Sequence, residues 1–186
     1  MTQDFQLRGQ RQPAERDWAE NYLASNGVHE GDVVVGVHPG ASLVQKRWPI
    51  ERFAEVVQAL NKCPGVRTLV FVEPTGHGAI LSEGHDVITA KVGLREMIAL
   101  IDRCELLVCN DSGPMHIAGA LGVPVVAVFL SGINRWFSPL GEDHELVSGE
   151  LPGSSDVGYH TARIDEIPSS RVIEATMRLL RAKRPS

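Results

Sequence analysis

Short runs of β-branched and other apolar residues alternate along this chain with longer segments in which apolar residues recur at helical spacing. A short, continuous apolar run is typical of a strand that is buried on both faces. Strands that alternate with helices pair in parallel and are joined by right-handed crossovers. The sequence therefore predicts an α/β fold, a Rossmann-like, doubly wound and mostly parallel sheet of about six strands. The predicted strands cover residues 33–38, 67–72, 86–89, 106–109, 123–129 and 144–147, and the predicted helices cover residues 13–26, 49–61, 77–83, 94–103, 114–121 and 169–182.

The length of 186 residues fits one domain, which can bury roughly 70% of the surface that its unfolded chain exposes. Within it we expect a lead and a helix over residues 1–30 and the Rossmann-like domain over residues 31–186. A net charge of -5 provides no basic field for a phosphate backbone, so nucleic acid is a poor partner. Cys63, Cys104 and Cys109 form no C-x-x-C pair, which is typical of reduced thiols in the cytosol. Because neither a signal peptide nor an apolar run of about 18 residues occurs, we expect a cytoplasmic chain without a transmembrane segment.

The polar residues after the predicted strand over 106–109 indicate a site for an anionic ligand. Asp111 or Ser112 can cap the following helix, and Pro114 suits its first turn. A helix start carries unpaired N–H groups and about half a positive charge, which attract phosphate. His116 lies in the same turn. The alternative is an ordinary capped helix between two core strands, but the combination of Asp, Ser and His favours a site.

The connection over residues 38–48 is longer than a turn in this kind of fold requires, and long loops at a ligand edge usually have a function. Ser42 offers a hydroxyl group, whereas Lys46 and Arg47 offer positive charges that can neutralise a diphosphate. For Arg47 a solvated basic turn is an equal alternative. We expect Trp48 to anchor the following helix rather than to stack on a ligand.

Ligands of parallel α/β sheets bind beyond the carboxyl ends of the strands. In this chain Gly40 at that edge would let the backbone approach a ligand closely. The loops at that edge are predicted at residues 38–48, 73–78, 110–113 and 129–137.

Several catalytic classes lack their sequence patterns. Neither G-x-G-x-x-G after the first strand nor G-x-x-x-x-G-K-[ST] occurs, so dinucleotide redox chemistry and phosphate-loop hydrolysis are disfavoured. Asp111, Ser112 and His116 are too close in sequence to form a catalytic triad. The histidines show no ligand spacing such as H-x-x-x-H, so we predict no metal site.

Two segments carry a resemblance to a known family. The first combines Gly40-Ala41-Ser42 with Lys46-Arg47-Trp48-Pro49, and the second runs from Asn110-Asp111-Ser112-Gly113-Pro114-Met115-His116 to the strand that ends at Phe129. Together with the helix over 94–101, they resemble the carboxyl-terminal half of the ADP-heptose:lipopolysaccharide heptosyltransferases, glycosyltransferase family 9. The similarity spans roughly residues 33–139.

This resemblance implies one half of a two-domain GT-B enzyme, with residues 31–186 as a nucleotide-sugar-binding domain. The other half would hold the acceptor and the catalytic base, so the base is expected outside this chain. The implied reaction is an inverting displacement that needs no metal or other cofactor. The residues assigned by resemblance to an ADP-heptose-like donor are Ser42 and Lys46 for the phosphates, Asp111, Ser112, Gly113 and His116 for phosphate and sugar, and Met97 for the base pocket.

The implied partners are the sugar nucleotide, a lipid-linked saccharide acceptor and an acceptor domain, with the chain in the cytoplasm or peripheral at the inner membrane. One departure favours a non-catalytic nucleotide-sugar-binding or assembly module instead, because Leu130-Ser131-Gly132 replaces the family's usual Gly-Pro-Thr turn. In that alternative, exposed Trp136 and Phe137 would drive self-association. Glu73 is only a weak candidate for a ribose contact. The basic segment over 178–184 is interpreted as a helix end whose cations suit its dipole, rather than as a membrane-surface helix.

Overall fold

The computed structural model describes residues 13–129, 144–149 and 163–182. These residues form six strands and five α-helices that alternate along most of the chain. The strands are β1 (Val33–His38), β2 (Val66–Phe71), β3 (Val87–Ala90), β4 (Leu106–Asn110), β5 (Val125–Phe129) and β6 (His144–Ser148). The helices are α1 (Pro13–Ser25), α2 (Ile50–Asn61), α3 (Leu94–Asp102), α4 (Gly113–Leu121) and α5 (Ser169–Ala182).

The strands form one sheet in the order β3-β2-β1-β4-β5-β6, and every neighbouring pair is parallel. The α/β fold predicted from the alternating pattern is thereby confirmed. The order of strands reverses between β1 and β4, where Val35 pairs with Leu106 and His38 with Cys109. In parallel sheets of this order, the crevice above such a reversal is where ligands bind.

Helices cover both faces of the sheet. Buried side chains of α1, α3 and α4 pack against one face, and those of α2 and α5 pack against the other. Strands β4 and β5 are buried along their whole length, as their continuous apolar sequences predict. In the described part of the chain, the two layers of helices therefore cover the faces of the sheet and leave the ends of the strands open to a ligand.

One predicted helix is wrong. The segment over 77–83 forms only a 3₁₀ turn, Ala79–Ser82, in which Leu81 is the one buried residue. The preceding Gly76 and Gly78 have φ angles of 87° and 96°, a left-handed conformation that interrupts a right-handed helix. The segment is consequently a compact loop at the carboxyl edge.

In the described segments, every helix is too short or too polar to cross a membrane. Arg178, in the basic part of α5, forms an ion pair with Glu145 of β6. This cation is therefore used within the fold.

Candidate functional site

An ion pair joins the loop after β1 to the loop after β4 at the point where the strand order reverses. The ammonium group of Lys46 lies 2.5 Å from Oδ2 of Asp111, and the two side chains are 33% and 16% exposed. Residues from two separate sequence motifs thus meet above the carboxyl ends of β1 and β4. The pair is partly open to solvent, so a ligand can reach both groups.

A buried asparagine, which the sequence analysis did not identify, fixes the position of the two loops. Asn110 is fully buried at the end of β4. Its Nδ2 donates to the carbonyl of Pro39 at 2.7 Å, and its Oδ1 accepts from the backbone N–H of Trp48 at 3.1 Å. A polar residue at the end of an otherwise apolar strand was the available signal. Asn110 therefore closes both ends of the loop that carries Lys46.

The start of α4 differs from the predicted cap. Ser112 is the N-cap residue but makes no side-chain cap bond, because its Oγ donates to the carbonyl of Asn110 at 3.2 Å. Asp111 is engaged by Lys46 instead. Of the two candidate caps, Ser112 thus bonds to the end of β4, and Asp111 forms the ion pair with Lys46.

The free amides at this helix start are few. Pro114 has no N–H, and the amide of Met115 donates to the carbonyl of Ser112 at 3.1 Å. The amides of Ser112 and Gly113 have no acceptor among the described residues. Together with the helix dipole, they form the positive part of the site that does not depend on a side-chain charge.

Three of the predicted donor-binding residues lie at the open edge without side-chain polar contacts to the rest of the described structure. Ser42, Gly113 and His116 are exposed. Beside Gly113 an added Cβ would meet nothing within 4 Å, so the backbone is accessible there. Met97 lies on a third element, in α3, where it is partly buried against the core. Their roles toward a donor remain predictions.

The structure corrects the expectations for Gly40 and Arg47. The space beside Gly40 is taken by a side chain of the protein, since a Cβ there would lie 2.4 Å from Cδ of Glu73. The Arg47 side chain is 30% exposed, but its guanidinium group is already engaged by the protein itself. Its Nε donates to the carbonyl of Ala41 at 2.8 Å, and its Nη2 lies 3.5 Å from Oε2 of Glu73. Arg47 thus holds the loop to the end of β2, and Lys46 is the cation of this loop nearer to the helix start.

Trp48 anchors the helix that follows the loop, as predicted. It is 1% exposed, its indole N–H donates to the carbonyl of Ile167 at 2.9 Å, and its ring meets that of Phe53 edge-on at 5.0 Å. Such contacts hold large aromatic residues in one orientation. The packing of Trp48 therefore fixes the end of the loop that adjoins α2.

The thiol nearest to the site is chemically inert. Cys109 is fully buried in β4, and burial, assisted by the charge of Asp111, raises the pKa of its thiol far above neutral pH. A thiol that stays protonated is a poor nucleophile. The reactive features at this edge are thus the ion pair and the helix start.

Comparison with known proteins identifies the family of this chain. The family model described as glycosyltransferase family 9 (heptosyltransferase) matches residues 1–163. Lipooligosaccharide heptosyltransferase 2 of Haemophilus influenzae is 31% identical over 153 residues, which are 73% of this chain and 44% of that protein.

Solved structures show the same fold. The glycosyl transferase family 9 protein of Veillonella parvula superposes with a TM-score of 0.80 at 28% identity, over 92% of this chain and 53% of its own. The E. coli ADP-heptose LPS heptosyltransferase II has a TM-score of 0.72 at 24% identity, over 93% and 53%. This chain thus spans about half the length of these relatives. The match of the family model over most of its residues shows that the chain belongs to glycosyltransferase family 9.

Proposed function

We propose that this chain is the donor-binding half of a heptosyltransferase-like glycosyltransferase and that it binds an ADP-sugar at the carboxyl edge of its sheet. In this proposal it corresponds to the carboxyl-terminal half of a GT-B enzyme. A separate acceptor domain supplies the catalytic base and holds a lipid-linked saccharide of the lipopolysaccharide type, at the cytoplasmic face of the inner membrane. The observation that carries the proposal is the pair of Lys46 and Asp111 beside the start of α4.

The site contains the charges that departure of a diphosphate requires. When the bond from the anomeric carbon to the diphosphate oxygen breaks, negative charge develops on the leaving oxygen. The ammonium group of Lys46 and the free amides of Ser112 and Gly113 face that region and stabilise the charge as it forms. The hydroxyl group of Ser42 is placed on the same loop and donates to a phosphate oxygen.

Asp111 is suited to the sugar rather than to the phosphates, because a carboxylate repels a diphosphate and accepts hydrogen bonds from hydroxyl groups. In the free protein it holds the Lys46 ammonium at 2.5 Å and so orients it toward the helix start. We assign His116 to the sugar or its adjoining phosphate, and Met97 to the apolar side of the base pocket. Inversion at the anomeric carbon then depends on a base that the acceptor domain contributes.

The names of the relatives support this choice of donor and acceptor. The H. influenzae relative is called a lipooligosaccharide heptosyltransferase, and the E. coli structure is of an ADP-heptose LPS heptosyltransferase. A chain of about half their length supplies about half of a closed cleft, so we expect binding of the donor and negligible transfer by this chain alone.

A second candidate is a non-catalytic module that binds a nucleotide sugar and assembles with another domain or with itself. The observation in its favour is that four large apolar side chains are exposed at the carboxyl edge of the described structure, namely Leu43, Val44, Ile80 and Leu94. Exposed apolar surface of this kind marks sites where another surface docks. Trp136, Phe137 and the turn Leu130-Ser131-Gly132 lie outside the described residues.

Calorimetry with ADP and with ADP-heptose tests the proposal. We expect both to bind, and Lys46→Ala to weaken both by about 10- to 100-fold, the value of one charge-assisted hydrogen bond. Lys62→Ala is the matched control, because Lys62 is an exposed lysine at the opposite edge of the sheet, and it should leave both affinities unchanged. Asp111→Ala should weaken ADP-heptose more than ADP.

Equal affinities of the wild type and Lys46→Ala would contradict the site. The two candidate functions separate in a transfer assay, with a lipopolysaccharide-type acceptor and a separately expressed acceptor domain added. Transfer that depends on this chain supports the enzyme, whereas donor binding without transfer supports the non-catalytic module.

A further inference from the structure

Near the loop that carries Ser42 and Lys46, two buried polar atoms have no hydrogen-bond partner among the described residues. His38, at the carboxyl end of β1, is 5% exposed, and its Nδ1 has no hydrogen-bond partner in the part of the chain that the structure describes. Oε2 of Glu73, in the segment after β2, is also buried without a hydrogen bond, and Nη2 of Arg47 approaches it only to 3.5 Å. Glu73 lies against Gly40, two residues after His38, and its charge acts on His38. Unpaired buried polar atoms are rare in folded proteins, so this pair of residues requires an explanation.

We propose that His38 is a positioning residue of the site, and that its protonation draws the Glu73 carboxylate away from Arg47 and so loosens the loop that carries Ser42 and Lys46. At neutral pH the imidazole is uncharged, and Glu73 remains with Arg47. The relevance of this step to donor binding rests on the proposed function, whereas the step itself concerns only residues of the free protein.

The charges around His38 make it responsive to pH. Burial lowers the pKa of its imidazole, and the negative charge of Glu73 opposes this effect, as does the backbone at His38 and Gly40. His77, from the same segment as Glu73, adds a small lowering. Cys109, the partner of His38 in the register with β4, stays protonated because burial raises the pKa of its thiol. Among the described residues, Glu73 is therefore the carboxylate whose charge favours the protonated form of His38.

Arg47 transmits a change at Glu73 to the loop. Its Nε donates to the carbonyl of Ala41 at 2.8 Å, and its backbone N–H donates to the carbonyl of Val44 at 2.9 Å. The carboxylate also lies against Gly40, where there is no room even for a Cβ. A shift of the carboxylate toward His38 thus withdraws the partner of the Arg47 guanidinium and alters the contact at Gly40.

His77 contacts the loop backbone rather than Arg47, so it provides a matched control. Its Nε2 lies 3.3 Å from the carbonyl of Pro39, which can only accept, so this nitrogen carries the proton. The same carbonyl accepts from Asn110. His77 therefore supports the backbone at Pro39, and among the described residues it forms no hydrogen bond with Arg47.

The test is an NMR titration of the free, isotope-labelled chain from about pH 7.5 to about pH 5, the range in which histidines titrate. We expect the Nε–H signal of Arg47 to move with the same midpoint as the His38 ring. His38→Gln should abolish this movement, and His77→Gln should leave it in place. Glu73→Gln should lower the midpoint of His38, because the charge that favours the imidazolium is gone.

An Arg47 signal that does not move with pH, or that moves equally in His38→Gln, would overturn the proposal. If His38→Gln does not fold, an unchanged midpoint of His38 in Glu73→Gln would also overturn the proposal. A second readout is the affinity for ADP, which we expect to fall by at least about fivefold on acidification, and by less in His38→Gln. Absence of ADP binding at every pH would contradict the proposed function and leave the NMR result to decide the role of His38.

Discussion

The two edges of the sheet use the same residue types in different ways. At the amino edge Asn26 is exposed, and its amide closes the end of α1 by donating to the carbonyl of Tyr22 at 2.8 Å. At the carboxyl edge the amide of Asn110 is fully buried and joins two loops. At one edge the polar group ends a helix in contact with water, whereas at the other it fixes the geometry of a site.

The ion pairs differ in the same sense. Arg67 and Asp86 at the amino edge are 3.5 Å apart, with Asp86 80% exposed, whereas Lys46 and Asp111 are 2.5 Å apart and half-buried. Charged groups that are already fixed before a ligand arrives favour specific binding, because the site needs no rearrangement. The comparison therefore teaches that the carboxyl edge holds its polar groups in buried, fixed contacts, whereas those of the amino edge remain in contact with water.

The largest difference in folding stability between the two edges is expected for Asn110 and Asn26. Asn110→Ala leaves the carbonyl of Pro39 and the amide of Trp48 without their buried partner, which should lower the free energy of unfolding by about 2 to 4 kcal/mol. Asn26→Ala should change it by less than about 0.5 kcal/mol, because water replaces the lost amide. Urea unfolding measures both. Similar losses in the two variants would break the comparison.

A smaller difference in folding stability is expected for Asp111 and Asp86, the acidic partners of the two ion pairs. Asp111→Asn leaves the half-buried Lys46 without a counter-charge and should lower the free energy of unfolding by about 1 kcal/mol. Asp86→Asn should have an effect near zero. Thermal unfolding at low and at high salt measures these changes, and added salt should reduce the effect at Asp111 because it screens the pair. An equal effect at Asp86 would contradict the assignment of a structured pair to the carboxyl edge alone.

The smallest effect concerns pH and compares His38 with His29. Because burial lowers the pKa of folded His38, the unfolded chain binds a proton more readily. The stabilisation from neutral His38 is complete above about pH 6.5, its unfolded pKa, and is lost as the pH falls below that value. We expect His38→Gln to flatten the decline in unfolding free energy between about pH 7 and about pH 5. The exposed His29 gives the control His29→Gln, which should keep the wild-type slope.

Local sequence was sufficient to predict the sheet. The β-branched run over 33–38 coincides with β1, because such a run between Asp32 and Pro39 has no alternative that buries it as well. The predicted helix over 77–83 failed because apolar spacing does not reveal the left-handed backbone of Gly76 and Gly78.

For the site, the sequence predicted which loops share an edge but not which side chains meet. Lys46 and Asp111 are 65 residues apart, and their ion pair depends on the strand register and on side-chain rotamers. The roles of Asn110 and Arg47 were not predicted, since their partners lie on other elements or on the far side of the loop. Propensity and periodicity describe neighbours in sequence, and these contacts join residues that only the folded sheet brings together.

The central claim is that the carboxyl edge binds the diphosphate of a sugar nucleotide between Lys46 and the start of α4. Its most direct test is a titration of the isotope-labelled chain with ADP, followed by the amide signals of both edges. We predict shifts at Ser42, Lys46, Ser112, Gly113 and His116, with no change at the turns of the amino edge. Shifts confined to the amino edge, or none at millimolar ADP, would contradict the claim.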